Sequence, residues 1–174
     1  MFETMEDYRE RASKMIEDMN KKWIWLVNKW GTLTKDVFAP YIDKAIEKYF
    51  GCRVDERYIN YFERFDDNSL KLDIVAACRR EKKLFIVEVK SNPDRIDYID
   101  KFEAKLEEVR VRLKRYENYK LYPIYAGLDM KEETVKELSR RRIYAMVVRM
   151  AAEEDMLEIV NKEEVEEDKK RVDR

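Results

Sequence analysis

Leu84-Phe85-Ile86-Val87-Glu88-Val89-Lys90 is an apolar stretch that carries two charged residues near its end. Its aliphatic run is typical of a central strand, and Pro93 stops it. Strand alternation places Glu88 and Lys90 on one face with Ile86 and leaves the other face apolar. An acid and a base therefore project together from a buried strand. Because burying an unpaired charge costs several kcal/mol, they need an ion, a salt bridge or water.

A second acid, Asp73, lies in the preceding apolar stretch from Leu70 to Cys78. A charged turn separates the two stretches, so a hairpin would bring Asp73 beside Glu88. Two carboxylates with open solvent positions suit Mg²⁺ or Mn²⁺, which prefer oxygen ligands. Such a metal could activate a water molecule and stabilise charge on a phosphodiester. Lys90 would orient that water or help to deprotonate it.

The Glu-x-Lys spacing alone has little specificity, because Glu81-Lys82-Lys83 and Glu103-Ala104-Lys105 share it. Glu81 falls in a charged turn and Glu103 on a helical surface, whereas Glu88 has a central-strand context. The competing interpretation is a solvent-facing Glu88–Lys90 pair on an edge strand, with Asp73 at a strand end.

The remaining pattern predicts an α/β domain with a mixed central sheet. We expect residues 1–30 to form a long amphipathic helix, residues 31–152 the globular domain, and residues 153–174 a charged C-terminal tail, of which residues 161–174 are a helix or disordered. Within the globular domain the pattern predicts these elements: helices at 34–49, 95–116 and 131–140, and strands at 70–78, 84–90, 122–128 and 143–149, with further short β-prone runs around Val54, Tyr58 and Tyr61.

The N-terminal helix has an apolar seam whose members recur at alternating three- and four-residue steps: Met5, Tyr8, Ala12, Met15 and Met19. This spacing is typical of a coiled coil. From Met5 to Lys29 the helix would be roughly 37 Å long. We therefore expect a homodimer through this helix. The alternative is a helix folded back on its own domain.

Leu72-Asp73-Ile74-Val75-Ala76, followed by Phe85-Ile86-Val87-Glu88-Val89-Lys90-Ser91, resembles the signature of the PD-(D/E)xK nuclease superfamily. The resemblance implies a restriction-endonuclease-like α-β-β-β-α-β core over residues 34–149. It also implies a Mg²⁺-dependent nuclease that hydrolyses DNA phosphodiesters, with Asp73 and Glu88 as metal ligands and Lys90 as the third catalytic residue.

Residues 30–40, Trp-Gly-Thr-Leu-Thr-Lys-Asp-Val-Phe-Ala-Pro, are similar to the opening of a prokaryotic family of restriction-endonuclease-like proteins whose activity is inferred. Many superfamily members add a metal-binding acid from the first core helix. By this resemblance Asp36 or Glu47 would fill that position, and Asp36 is preferred. The chain departs from the superfamily pattern at Leu72, where a proline often stands, and it lacks a glutamine after Lys90.

Charge and composition narrow the chemistry further. The 37 basic and 38 acidic residues leave no bulk attraction for nucleic acid, so DNA must meet a local patch. We expect Arg79, Arg80, Lys82 and Lys83 to supply that patch. Two alternative basic clusters lie at residues 110–115 and 140–142, and each of the three is more often a solvated face. The absence of histidine excludes histidine-based acid-base chemistry and histidine zinc sites.

The expected setting is a reduced cytoplasm. Cys52 and Cys78 are too few and too isolated for a disulfide framework, and both are expected to be small core residues. The N-terminus has no signal-like or membrane-anchoring run, and no membrane partner is expected.

Three functions compete at this stage. The first is the metal-dependent nuclease. The second is a catalytically silent nuclease-like module that binds or assembles through the N-terminal helix. The third is a structural coiled-coil protein whose globular part has no ligand.

Overall fold

The computed structural model describes residues 4–28, 34–148 and 156–172, and it shows a mixed α/β protein. Its helices are α1 (Met5–Asn28), α2 (Thr34–Phe50), α3 (Ile96–Arg112), α4 (Glu132–Arg140) and α5 (Lys162–Val172). Its strands are β1 (Glu56–Arg64), β2 (Ser69–Cys78), β3 (Lys83–Lys90), β4 (Lys120–Gly127), β5 (Tyr144–Val148) and β6 (Leu157–Ile159). A short 3₁₀ turn at Lys114–Tyr116 follows α3.

The six strands form one mixed sheet in the order β1-β2-β3-β4-β5-β6. Pairing is antiparallel from β1 to β3, parallel from β3 to β5, and antiparallel between β5 and β6. The parallel pairs require crossovers, and α3 and α4 provide them. The predicted mixed sheet with crossover helices is therefore confirmed.

Two apolar clusters cover the two faces of the sheet. On one face α2 packs Ile42 and Ile46 against Phe85 and Val87 of β3. On the other face α3 packs its apolar side against even-numbered residues of β3, including Ile86. The alternation predicted for residues 84–90 is thus present, and Glu88 belongs to the α3 face. β3 lies between β2 and β4, so the edge-strand interpretation of Glu88 and Lys90 is wrong.

Strand β6 and helix α5 occupy most of the described part of the predicted charged tail. Leu157, Ile159 and Val165 are buried in the cluster on the α2 face. Strand β6 has only three residues, and among the described side chains of α5 Val165 is the one buried apolar residue between many charges, so neither gives a strong periodic signal. From Lys162 to Val172 the tail is helical, as one of the two alternatives held, whereas Leu157–Ile159 forms a strand of the sheet that was not predicted.

Cys52 and Cys78 form a disulfide, with their Cα atoms 6.2 Å apart. The expectation of two reduced thiols was therefore wrong, although both side chains are buried as expected. Cys52 lies between α2 and β1 and Cys78 ends β2, so the antiparallel pairing of β1 with β2, which sets Glu56 opposite Ala77, brings them together. Sequence spacing cannot reveal such a pairing.

Within the described ranges, no helix combines the length and the apolar character that crossing a membrane requires.

The disulfide gives a prediction about stability. The bond joins residues 26 positions apart, and closing a loop of that length stabilises a fold by about 3.5 kcal/mol in the chain-entropy treatment. We expect the double variant Cys52→Ala, Cys78→Ala to lose about that much free energy of unfolding in urea. A reductant should weaken the wild type and leave the variant unchanged. Equal wild-type stability with and without reductant would contradict the prediction.

Candidate carboxylate and lysine site

Asp73 lies where strands β2 and β3 stop pairing. The ladder joins residues 74–78 to residues 83–87 and ends before Asp73 and Glu88. Beyond it, the Asp73 carboxylate accepts a hydrogen bond of 2.8 Å from the main-chain N–H of Val89. On the neighbouring strand β1, the residue level with Asp73 is Asn60. Its backbone has a positive φ of 55°, a conformation that asparagine tolerates better than most residues. The sheet therefore opens at the point where the two acids project.

Glu88 is the most deeply buried acid of this region, with 2% of its surface exposed. Burial raises the pKa of its carboxyl above the ordinary value, and the nearby Asp73 carboxylate raises it further. Lys105 and Lys90 act in the opposite direction. One oxygen, Oε2, is buried and has no hydrogen-bond partner within the described part of the chain. A buried polar atom without a partner is rare in folded proteins and is often associated with a functional site.

Two lysines contact the other oxygen of Glu88. The Lys105 Nζ atom lies 3.0 Å from Glu88 Oε1, and the Lys90 Nζ atom lies 3.3 Å from the same oxygen. Each lysine keeps about a third of its side chain exposed, at 32% and 28%. Both lysines border the cavity and remain partly accessible to a ligand.

The loop after β3 fixes the position of Lys90. Gly127 of β4 leaves no room for a side chain, because a Cβ atom there would lie 2.7 Å from Pro93 Cγ. The Tyr125 hydroxyl donates a hydrogen bond of 2.9 Å to the Pro93 carbonyl. Lys90 then lies over the ring of Tyr98, with its Nζ atom 4.8 Å from the ring centre. This packing restrains the lysine without neutralising its charge.

These side chains line a cavity of about 420 Å³. Asp73, Glu88 and Lys90, the predicted catalytic residues, all border it. The other lining residues are Asn60, Tyr61, Lys71, Leu72 and Lys105. The fold thus brings the predicted trio together, and three lysines face two carboxylates in one open space.

Lys105 is the functional candidate that the sequence reasoning missed. It belongs to the triplet at residues 103–105, which was placed on a helical surface. Phe102 and Leu106 are buried on the apolar side of α3, and Lys105 lies three residues after Phe102 and one before Leu106. The long side chain of a lysine next to the buried side of a helix can extend to the sheet. This position in the sequence could have identified Lys105.

The carboxylates fit a divalent cation. Asp73 and Glu88 provide the oxygen donors that Mg²⁺ and Mn²⁺ use, and Glu88 Oε2 is an oxygen still lacking a partner. No group of three or more acidic, cysteine or histidine side chains suited to a metal occurs among the described residues. Two protein carboxylates with several waters are, however, an ordinary arrangement for Mg²⁺. The repulsion between Asp73 and Glu88 would also be relieved by a cation.

The first core helix does not supply a third acid to this cavity within the described side chains. Asp36 lies in α2, but its side chain is outside the part that the structure describes. Glu47 is exposed on α2 and does not line the cavity. Asp43 of the same helix forms an ion pair with Arg57 of β1, and burial raises the pKa of its carboxyl.

The predicted nucleic-acid patch lies at the other end of β3. Arg79, Arg80 and Lys82 belong to the turn between β2 and β3, and Lys83 opens β3. Arg79 contacts Asp55, and the Lys83 ammonium donates to the Phe50 carbonyl at 3.0 Å. Lys83 is five residues from Glu88 along the strand, roughly 17 Å at the usual rise. The structure does not bring these four residues to the carboxylate cavity.

No family model matches this chain, and neither the curated proteins nor the solved structures contain a match. Membership of the PD-(D/E)xK superfamily therefore stays a prediction from the residues.

The buried acid gives a prediction with a defined pH dependence. Because the folded-state pKa of Glu88 is raised, the folded protein holds this proton more tightly than the unfolded chain. The protonated Glu88 carboxyl therefore contributes to the free energy of unfolding at low pH, and this contribution is lost as the pH rises through the raised pKa. We expect Glu88→Gln to raise the free energy of unfolding at about pH 7.5 without metal, and the gain to shrink toward about pH 4.

Glu81→Gln is the matched control, because Glu81 has the same Glu-x-Lys spacing in an exposed turn. Urea titrations across this pH range should show little change for that variant. A pH-independent loss of stability in Glu88→Gln would show that the buried carboxylate is not under the proposed electrostatic stress.

Proposed function

We propose that this protein is a metal-dependent nuclease that hydrolyses phosphodiester bonds of DNA. The observation that carries the proposal is the buried, incompletely bonded Glu88 carboxylate beside Asp73, facing three lysines in one cavity. The order helix, three strands, helix, strand from α2 to β4 agrees with the restriction-endonuclease-like core that the sequence resemblance implies.

Asp73 and Glu88 would hold the metal. When bound, Mg²⁺ would supply charge neutralisation and lower the pKa of water at the reacting phosphate. The cation would also favour the charged form of Glu88, because it offsets both burial and the repulsion from Asp73. Lys105 and Lys90 now share one Glu88 oxygen, so a cation competing for that oxygen would free an ammonium group for the substrate.

The lysines account for the remaining chemistry. Lys90 is restrained over Tyr98 and would hold or take a proton of the attacking water, or stabilise the negative charge that develops on the phosphate. Lys105 approaches from α3 and would add a second positive charge to the same space. Lys71 is exposed at the rim and would contact a neighbouring phosphate of the strand.

Cleavage of supercoiled plasmid DNA tests the proposal. With Mg²⁺ or Mn²⁺ we expect cleavage by the wild type, and a rate lower by about 100-fold or more in Asp73→Asn, Glu88→Gln and Lys90→Met. Calorimetry should show Mn²⁺ binding by the wild type and its loss in Asp73→Asn. Glu81→Gln should match the wild type in both measurements. Undiminished cleavage by Asp73→Asn and Glu88→Gln, or no binding of Mn²⁺, would overturn the proposal.

An assembly role for α1 is the second candidate, and a specific observation favours it. The apolar seam side chains Met5, Tyr8, Met15 and Met19 are exposed, at 75%, 68%, 65% and 40% of their surface. Exposed apolar side chains in a row are more often an interaction site than a solvated face. Alternating three- and four-residue spacing is the pattern by which two helices pack in a coiled coil. The partner we propose is therefore α1 of a second copy.

Light scattering of the full chain tests this dimer. We expect a dimer for the wild type and a monomer for Met15→Lys, because a seam position cannot bury a charge at low cost. Glu10→Lys is the control, since residue 10 lies opposite the seam in the heptad and should leave the dimer intact. A wild type that is monomeric at high concentration would exclude assembly through α1.

A further inference from the structure

A second charged cavity, of about 320 Å³, lies near the opposite end of the sheet from Glu88. The strand register creates part of it, because Lys83 of β3 and Lys120 of β4 are direct neighbours in the parallel pair. Like charges in neighbouring positions of a sheet are destabilising. Both lysines lie on the face that carries Phe85 and Tyr122, whose rings form part of the core.

Helix α5 adds further positive charge to the same cavity. Lys162, Lys169 and Lys170 line it, at helical positions i, i+7 and i+8. Lys162 and Lys169 are half-buried on the side of the helix that carries the buried Val165, and Lys170 is exposed at the rim of the cavity. A helix that only had to pack on the sheet would carry apolar residues there.

Three of these ammonium groups surround one ring. The Nζ atoms of Lys169, Lys120 and Lys83 lie 5.0, 5.4 and 5.8 Å from the centre of the Tyr122 ring. An aromatic face attracts cations and so offsets part of their repulsion. It does not bring a negative charge, so the cluster remains suited to an anion.

The charge balance distinguishes this cavity from its larger neighbour. Of the described residues that line it, five are lysines and one, Glu166, is acidic. Glu166 is also paired with Lys162 at 3.4 Å. The neighbouring cavity of about 650 Å³ contains arginines too, but Arg110 pairs there with Glu107, and Arg141 with Asp100 and Glu103.

Lys169 shows the electrostatic cost of the cluster. The pKa of its ammonium group is lowered to about 8, first by burial and then by the nearby cations Lys120, Arg142 and Arg110. Glu166 acts in the opposite direction without restoring the ordinary value. An anion placed among these groups would remove that cost.

We propose that Lys83, Lys120, Lys162, Lys169 and Lys170 form a binding site for clustered phosphate groups, separate from the carboxylate cavity. Tyr122 and Tyr144 are almost fully buried, at 7% and 1% exposed. They therefore support the lysines from beneath and do not present a face for stacking a base. The site recognises phosphate charge alone, carried by a free polyphosphate or by a nucleic-acid backbone. It does not depend on the proposed nuclease activity.

Calorimetry on the full chain at low salt, with EDTA present, tests the site with inorganic pyrophosphate and a short DNA duplex as separate probes. We expect Lys169→Met and Lys120→Met each to weaken binding by about tenfold or more, the effect of losing one charge-assisted contact. Lys136→Met is the matched control, because Lys136 is an exposed lysine of α4 outside this cavity. It should bind like the wild type.

The two probes distinguish the sources of phosphate. A loss of pyrophosphate binding in Lys169→Met supports a site for free polyphosphates, and a loss confined to the duplex supports a site for the nucleic-acid backbone. If neither probe depends on Lys169 or Lys120, or if neither probe binds the wild type, the proposal is overturned.

Two further readouts separate an anion site from a structural role. Near about pH 8 binding should take up protons, since phosphate raises the lowered pKa of Lys169, so the measured enthalpy should vary with the buffer. Lys169→Met should also have a higher Tm than the wild type, because it removes a half-buried charge from a like-charged cluster. A lower Tm together with unchanged pyrophosphate and duplex binding would identify Lys169 as a structural residue.

Discussion

Burial of the Glu88 carboxylate beside Asp73 is the constraint on which the rest of the candidate site depends. A carboxylate that is 2% exposed cannot remain charged next to a second acid unless cations approach it. Lys90 comes from the same strand and Lys105 from the crossover helix α3, and both reach one oxygen of Glu88. The second oxygen keeps no partner among the described residues, so the arrangement is not satisfied by the protein alone.

This arrangement is costly for a protein that only has to fold. Replacing such a cluster with apolar side chains of similar size is often neutral or stabilising. Charged groups that lower the stability of a fold in this way are common at functional sites, because activity often requires an arrangement that is unfavourable for folding. The same reasoning applies to Lys169, whose side chain is half-buried beside other cations. Two separate regions of one sheet therefore hold charged groups whose burial and like-charged neighbours disfavour the charged form.

Much of the fold could be predicted from periodicity. The alternation in residues 84–90 predicted which side chains of β3 share a face, and the periodic pattern over residues 95–116 predicted the helix that forms α3. The disulfide and strand β6 could not be predicted, since one depends on tertiary packing and the other is three residues long. The carboxylates and Lys90 were predictable because charge inside an apolar strand is rare. Lys105 was not, because lysines are common on helix surfaces.

The positions of the basic residues show why net charge is a poor indicator of binding in this protein. The whole chain has a formal charge of −1, yet its described charges are unevenly distributed along the sheet. Glu88 and Lys90 lie where β3 ends, at the edge where parallel strands commonly hold their ligands. Lys83 and Lys120 lie where β3 and β4 begin, and the register brings them together. One strand pair thus separates a carboxylate site from a lysine site, so a polyanion can be attracted locally by a chain that is nearly neutral as a whole.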